Sequence, residues 1–192
     1  MKTVLFVPGY RENLKSRDYT STIKAIEAAG YIVKFVPIQW VRTTIEDWVA
    51  ELEAEYSKHD PQRTILAGFS FGAMTAFVVA SKRNPSELWL FSLSGYFNED
   101  IKSKDMKKSW LSNLGHRRVT AFSKLDYKKL ASKIACRVLL FAGQIEMDMW
   151  PTMRHRTNES PKYLANAHLT IVAGVGHDVA DAKYISTISK QI

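Results

Sequence analysis

Three short segments of the chain contain residue types that cooperate in nucleophilic catalysis. Ser70 lies at the centre of the stretch LAGFSFGA, His177 lies in GVGHD, and the stretch RVLLFAGQIEMD contains Glu146 and Asp148. A serine hydroxyl becomes an effective nucleophile when a neighbouring base removes its proton, and that base needs an acid to orient it. The sequence therefore predicts Ser70 as a nucleophile, His177 as its base and one of the two carboxylates as the orienting acid.

The spacing around Ser70 has a physical reason. Gly68 and Gly72 lie two residues before and after it, in the pattern GxSxG, where an apolar run gives way to a helix-like one. A serine on a very tight turn from strand to helix takes a strained backbone conformation, and side chains at the glycine positions would collide with their neighbours. The free N–H groups at the start of the helix can stabilise a developing anion. A serine that merely caps a helix after a flexible turn is the alternative.

The five histidines differ in their surroundings. His177 follows the last predicted strand and precedes the last predicted helix, whereas the others lie at a charged helix end, in an irregular segment, in a polar stretch and at the start of a strand: His59, His116, His155 and His168. Functional side chains collect at the carboxyl ends of the strands in a parallel sheet. We therefore predict that His177 reaches the same edge of the sheet as Ser70; a histidine in a surface turn is the alternative.

The elements that must position these residues follow from the hydrophobic pattern. Short apolar runs, typical of strands buried on both faces, occur at Thr3 to Val7, Tyr31 to Ile38, Thr64 to Phe69, Leu88 to Leu93, Arg137 to Phe141 and His168 to Val172. Segments with helical spacing of apolar residues lie between them. The alternation predicts an α/β protein, a three-layer α/β/α sandwich around a mainly parallel six-stranded sheet with right-handed crossovers.

One segment interrupts this alternation. Residues 96–122 are polar and charged, show no clear period and form a longer connection than is usual. We expect a short cap or lid there, within a single domain that spans residues 1–192. Several aromatic residues are candidates either for an apolar substrate pocket or for the core: Phe69, Phe71, Tyr96, Phe97 and Trp110.

Composition and charge narrow the function classes. The 192 residues carry a formal net charge of +8, and much of the basic excess lies between Lys102 and Lys133. That segment lacks a nucleic-acid-binding signature, so we expect a solvated basic surface and no nucleic-acid partner. The single cysteine, Cys136, and the lack of a long apolar run predict a cytoplasmic protein without membrane association. No phosphate loop, dinucleotide motif or metal-ligand spacing is visible, so no cofactor and no metal are expected.

Four features of the sequence resemble the α/β-hydrolase superfamily. They are PGY after the first strand, GFSFG at the nucleophile turn, a glycine-led acidic turn after the fifth strand and GxGHD after the sixth. The resemblance extends from the first strand to the last helix. It implies a minimal core of six strands, with residues 96–122 in the place of the family's cap. It also implies hydrolysis of a carboxylic ester, a thioester or a related acyl bond of a small-molecule substrate, through an acyl-enzyme.

The resemblance also assigns a role to each site residue. It implies that Ser70 is the nucleophile, that His177 acts as general base and general acid, and that the backbone N–H groups of Tyr10 and Phe71 form the oxyanion hole. An acyltransferase that uses the same residues is one alternative. A non-catalytic binding protein that kept the hydrolase fold is another, because fold does not imply function.

The identity of the acid stays open between two residues. Glu146 is third after Gly143, where the family's carboxylate usually stands, whereas Asp148 is of the residue type more often found in that role. The extra methylene of glutamate still allows a hydrogen bond to histidine. We therefore expect Glu146 to be the acid, with Asp148 as the alternative.

Overall fold

A six-stranded parallel sheet forms the centre of the molecule. The computed structural model describes residues 1–16 and 19–192. The strand order is β2-β1-β3-β4-β5-β6, and every neighbouring pair is parallel. The strands are β1 (Thr3–Val7), β2 (Ile32–Phe35), β3 (Thr64–Phe69), β4 (Glu87–Phe91), β5 (Arg137–Gly143) and β6 (Ala167–Val172).

Helices cover both faces of this sheet. They are α1 (Tyr19–Ala28), α2 (Ile45–Tyr56), α3 (Phe71–Ala80), α4 (Asn98–Ile101), α5 (Lys108–Leu114), α6 (His116–Phe122), α7 (Tyr127–Ala131), α8 (Gln144–Met149), α9 (Pro151–Tyr163) and α10 (Ala182–Gln191), with a 3₁₀ turn at Pro61–Arg63. Successive residues of a strand point to opposite faces, so Leu5 packs with the core of α2 and α3 while Phe6 packs with that of α1 and α10. The predicted three-layer α/β/α architecture is confirmed.

The two edge strands differ from the prediction that all strands are buried on both faces. Ile32 in β2 is 51% exposed and Ile171 in β6 is 46% exposed, whereas every residue of β3 and β4 is buried. An edge strand pairs on one side only, and the covering helices are centred on the middle strands. Burial on both faces therefore holds for the strands that carry Ser70 and its neighbours.

Residues 96–122 are helical rather than irregular, which corrects the sequence prediction. The segment contains α4, α5 and α6, and Gly115 separates the last two with a φ of 82°. Its ends enter the core: Phe97 and Phe122 are fully buried, and the ring of Phe122 lies 5.4 Å from that of Phe71. The two ends of the segment are thus part of the hydrophobic core on the side of the sheet that α3 covers.

A buried ion pair joins this segment to α9. Arg156 donates from Nη2 to Asp100 Oδ1 at 2.6 Å and from Nε to Oδ2 at 3.1 Å. The two residues are 3% and 1% exposed.

None of the helices in the described part of the chain combines the length and the apolar character that a membrane span needs.

Candidate active site

The nucleophile turn has the strained geometry that its glycines predict. Ser70 lies between β3 and α3 with φ 57° and ψ −118°, a region that residues with a Cβ rarely adopt. A Cβ on Gly68 would lie 2.3 Å from the carbonyl oxygen of Gly72, and a Cβ on Gly72 would lie 2.3 Å from the carbonyl oxygens of Val7 and Pro8. The two glycines are therefore required for the turn to pack against itself and against the end of β1.

Histidine and acid meet at the carboxyl ends of β5 and β6. His177 Nδ1 lies 2.5 Å from Glu146 Oε2, and Glu146 is fully buried. An ionised carboxylate only accepts hydrogen bonds, so with the carboxylate in that form the contact requires the hydrogen to lie on Nδ1. Asp148 instead lies at the surface, where Arg154 donates to its Oδ1 at 3.0 Å. The structure thus brings Glu146 to the histidine and places Asp148 elsewhere.

Backbone packing holds the acid turn against the histidine turn. A Cβ on Gly143 would lie 2.5 Å from the carbonyl oxygens of Val175 and Gly176, so glycine is needed there as well. The N–H of Ile145 donates to the carbonyl of Val175 at 2.9 Å. The position of the acid relative to the histidine is therefore set by main-chain contacts between neighbouring strand ends.

Two aromatic rings pack against the imidazole. The ring of Phe69 lies 4.6 Å from that of His177 with 37° between the planes, and the ring of Trp150 lies 5.3 Å away at 81°. The side chain of His177 is 20% exposed. The ring is therefore confined by its neighbours but still accessible from the cavity.

Ser70 and His177 line the same cavity, which has a volume of about 280 Å³. The rest of its wall comes from the start of α3, the residues after β4, α5 and the start of α9. The remaining lining residues are Phe71, Ser94, Gly95, Tyr96, Trp110, Trp150, Thr152 and Met153. Of the aromatic candidates from the sequence, Phe71, Tyr96 and Trp110 reach the cavity, whereas Phe69 and Phe97 belong to the core. The cavity is small and has a largely aromatic wall.

A second serine contacts the first, and sequence analysis missed it. Ser94 Oγ lies 3.1 Å from Ser70 Oγ, and Ser94 is 4% exposed in the cavity wall. The signal was present in the sequence as FSLSG, where two serines alternate with apolar residues at the carboxyl end of a buried strand. At that edge of a parallel sheet, polar side chains point toward a site.

The loop after β1 lies beside the start of α3. The close approach of Gly72 to Val7 and Pro8 brings the two segments together, and the ring of Tyr10 lies 5.5 Å from that of Phe71. Phe71 is the first residue of α3, where backbone N–H groups have no partner within the helix. The loop that carries Tyr10 therefore lies beside the first residue of α3, and the oxyanion hole formed by the N–H groups of Tyr10 and Phe71 stays a prediction.

Known structures share this fold. Est1E from Butyrivibrio proteoclasticus matches with a TM-score of 0.78 at 13% identity, over 98% of this chain and 84% of that chain. A dienelactone hydrolase from Anabaena variabilis matches with a TM-score of 0.70 at 13% identity, over 99% and 82%. The ydeN gene product from B. subtilis matches with a TM-score of 0.63 at 16% identity, over the full length of both chains. The sequence itself matches no known family profile and no curated protein sequence.

These similarities cover nearly the whole chain, including the strands that carry Ser70, Glu146 and His177. The chain has the α/β-hydrolase fold, which confirms the fold that its motifs predicted. Because unrelated activities occur on one fold, the activity must be argued from the site.

Proposed function

We propose that this protein is a serine hydrolase that cleaves a carboxylic ester, a thioester or a related acyl bond through an acyl-enzyme. The observation that carries the proposal is the contact between His177 Nδ1 and the buried carboxylate of Glu146, in a cavity that Ser70 also lines. A strained serine, an oriented histidine and a buried acid together serve no evident structural purpose. Strain of this kind persists where surrounding structure imposes it and clusters at functional sites.

The acylation step uses each of these groups. Ser70 Oγ attacks the carbonyl carbon of the substrate while His177 Nε2 accepts the hydroxyl proton. Glu146 stabilises the resulting imidazolium and keeps the hydrogen on Nδ1. The backbone N–H groups of Tyr10 and Phe71 stabilise the negative charge on the carbonyl oxygen. The tetrahedral intermediate then collapses, and His177 returns its proton to the leaving alcohol or thiol.

Hydrolysis of the acyl-enzyme repeats the same chemistry with water. His177 removes a proton from the attacking water molecule, and the second tetrahedral intermediate expels Ser70 Oγ, which takes that proton back. The products are a carboxylic acid and the free enzyme.

The cavity supports a small substrate with an apolar acyl group. Its volume of about 280 Å³ lies just below the ~300–1,000 Å³ that is usual for small-molecule sites. Rings of Tyr96, Trp110 and Trp150 supply flat apolar surface, which binds planar or short acyl groups well. We therefore propose short or aromatic acyl esters as the preferred substrates.

The test is reaction with a fluorophosphonate probe and with a panel of acyl esters of graded length. Ser70→Ala is expected to fold with an unchanged melting temperature and to lose turnover by ~10⁴ to 10⁶ because the nucleophile is gone. Ser132→Ala is a matched control, since Ser132 is an exposed serine whose Oγ donates to the carbonyl of Lys129. More than a tenth of wild-type turnover in purified Ser70→Ala would refute the assignment.

Product analysis separates the alternatives. A hydrolase releases the free acid in water, whereas an acyltransferase forms a new ester or amide when an acceptor alcohol or amine is added. A non-catalytic binding protein would show no labelling at Ser70 and no burst of released alcohol.

A further inference from the structure

The side of Glu146 that faces away from His177 is held by a second set of hydrogen bonds. Ser92 Oγ donates to Glu146 Oε1 at 2.7 Å, and the N–H of Gly143 donates to the same oxygen at 2.7 Å. The other carboxylate oxygen, Oε2, contacts His177. Each oxygen of the buried carboxylate thus has its own partners, which fixes the rotation of the carboxylate plane.

Ser92 in turn contacts a tyrosine of α10. Its Oγ lies 3.1 Å from the hydroxyl oxygen of Tyr184, and both residues are fully buried. Because the hydrogen of Ser92 is given to the carboxylate, Tyr184 must be the donor in the second bond. Burial raises the pKa of Tyr184 well above its usual value, and the nearby Glu146 carboxylate adds to this effect, so the tyrosine stays protonated.

The backbone of Ser92 is unusual for a serine. Its φ is 52°, in the left-handed region that glycine adopts most readily, and its N–H donates to the carbonyl of Phe141 at 2.7 Å. A glycine at this position would relieve the backbone strain. A serine is therefore expected here only if the contacts of its side chain offset the cost of that strain. Among residues 1–16 and 19–192, the Ser92 side chain makes two hydrogen bonds, one to Glu146 and one to Tyr184.

These bonds matter because an ionised carboxylate that is removed from water needs several donors. Hydrogen bonds to charged groups are stronger than those between neutral ones. Without the Ser92 hydroxyl, Oε1 would keep the N–H of Gly143 as its recorded donor, and the carboxylate would be freer to rotate. The 2.5 Å contact from Oε2 to His177 Nδ1 requires one specific rotation.

We propose that Ser92 and Tyr184 are positioning residues, forming a hydrogen-bonded chain from Tyr184 through Ser92 to Glu146 that orients the acid toward His177. The proposal rests on the proposed function, because it assigns Glu146 a catalytic role. Neither Ser92 nor Tyr184 lines the cavity that holds Ser70, so both act through Glu146.

Substitution of Ser92 separates a positioning role from a backbone role. Ser92→Gly removes the hydroxyl and relieves the positive φ, so the relief of backbone strain offsets part of the cost of the two lost hydrogen bonds and the variant is expected to fold. Its labelling at Ser70 by a fluorophosphonate and its kcat are expected to fall about 10- to 100-fold, the usual effect of one hydrogen bond to a charged group. Ser92→Ala removes the hydroxyl and keeps the strained backbone, and the same loss is expected.

Two further variants complete the set. Tyr184→Phe removes one hydroxyl and keeps the ring, and a two- to fivefold loss, roughly that of a neutral hydrogen bond, is expected. Ser81→Ala is the matched control: Ser81 is also buried and its Oγ donates to the carbonyl of Val78 at 2.7 Å, at the end of α3 away from Ser70. This control is expected to keep wild-type activity.

A spectroscopic measurement tests the positioning independently of any substrate. The proton between His177 Nδ1 and Glu146 should give a far-downfield resonance in the proton NMR spectrum of the resting protein, assigned by its loss in Glu146→Gln. In Ser92→Gly this resonance is expected to shift upfield or to broaden through exchange with solvent, and in Ser81→Ala it should stay in place.

The outcomes are distinct. Reduced labelling together with a changed resonance in Ser92→Gly supports the proposal. Wild-type labelling of a folded Ser92→Gly overturns it, whatever the resonance does, and so does an unchanged resonance. If the wild-type protein is not labelled at Ser70 at all, the proposed hydrolase function fails, and the resonance alone then decides whether Ser92 orients the Glu146–His177 pair.

Discussion

Among the described residues, two carboxylates are at most 1% exposed, and each contacts a different kind of basic partner. Glu146 is 0% exposed and contacts His177, whose side chain reaches the substrate cavity. Asp100 is 1% exposed and contacts Arg156, which is itself 3% exposed. One pair opens to a cavity on one side, and the other is enclosed in the protein.

Under the proposed function, the difference separates a pair that exchanges a proton with the substrate from a pair that only holds the fold together. Arginine stays charged at any pH that proteins tolerate, whereas histidine gains and loses a proton near neutrality. The guanidinium of Arg156 also lies 3.9 Å from the ring centroid of Tyr127, and the N–H of Phe97 donates to Asp100 Oδ2 at 3.0 Å. Burial raises the pKa of Asp100, and Arg156 opposes the shift by charge and by hydrogen bonding. The Asp100–Arg156 pair is a fixed structural joint between α4 and α9.

The largest expected effect is on the pair that exchanges a proton. Glu146→Gln keeps the shape of the side chain but removes its charge, and turnover is expected to fall by up to ~10⁴ because the histidine loses its correct tautomer. Asp148→Asn, two residues further along the same helix, is the control and should keep turnover within about twofold, since its surface ion pair contributes little. A loss confined to Asp148→Asn would reverse the assignment of the acid, and a loss in neither would leave only a serine and histidine pair.

Substitutions in the Asp100–Arg156 pair should lower the stability of the fold strongly, whereas those in the Glu146–His177 pair should mainly lower turnover. Arg156→Met or Asp100→Asn leaves a buried group without its partner and is expected to lower the free energy of unfolding by about 3–5 kcal/mol, measured by denaturant titration. The double variant Asp100→Leu/Arg156→Met removes both charges and should be more stable than either single variant. If both single variants were as stable as wild type, the joint between α4 and α9 would be dispensable.

The smallest expected effect comes from the part of residues 96–122 that faces the cavity. Trp110 lines the cavity and is not part of the buried core, so Trp110→Ala should leave the melting temperature nearly unchanged. Loss of a ring from an apolar pocket is expected to raise KM about tenfold for bulky acyl esters and less for acetyl esters. Equal changes for both ester classes would place Trp110 outside the acyl site. Deletion of the whole segment is a poor test, because it would also remove Phe97 and Phe122 from the core.

The sequence predicted the central strands better than the segment around the cavity. Strands β1 and β3 begin and end at the predicted residues, because a turn signal marks the end of each apolar run: Pro8 and Gly9 after β1, and the GxSxG pattern at the end of β3. The helices within residues 96–122 were missed because they are short and their buried residues are few, so no amphipathic period develops. The solvent exposure of β2 and β6 arises because they are the edge strands of the sheet. The hydrophobic pattern within one strand does not determine the order of the strands.

Some residues of the candidate site could likewise be predicted from local sequence, and others could not. Glu146 was favoured from its distance to Gly143, and the close packing of Gly143 on Val175 is the physical reason that the spacing is informative. Ser92 and Ser94 lie at an apolar strand end, where the FSLSG pattern marks a candidate site but does not tell which serine contacts which catalytic residue. Their contacts to Glu146 and Ser70 come from residues 54 and 24 positions apart in the chain, and such contacts appear only once the sheet has formed.

The order of these residues along the chain also affects when the protein becomes reactive during its synthesis. The turn that strains Ser70 packs on the end of β1, and the Ser70 N–H donates to the carbonyl of Phe91 in β4, so all of its contacts come from residues that are synthesised well before His177. His177 follows roughly a hundred residues later, which at about 5–20 residues per second is a delay of several seconds or more. During that interval the nascent chain carries a serine in place but without its base, and we expect it to be inert toward cellular esters until translation has passed residue 177.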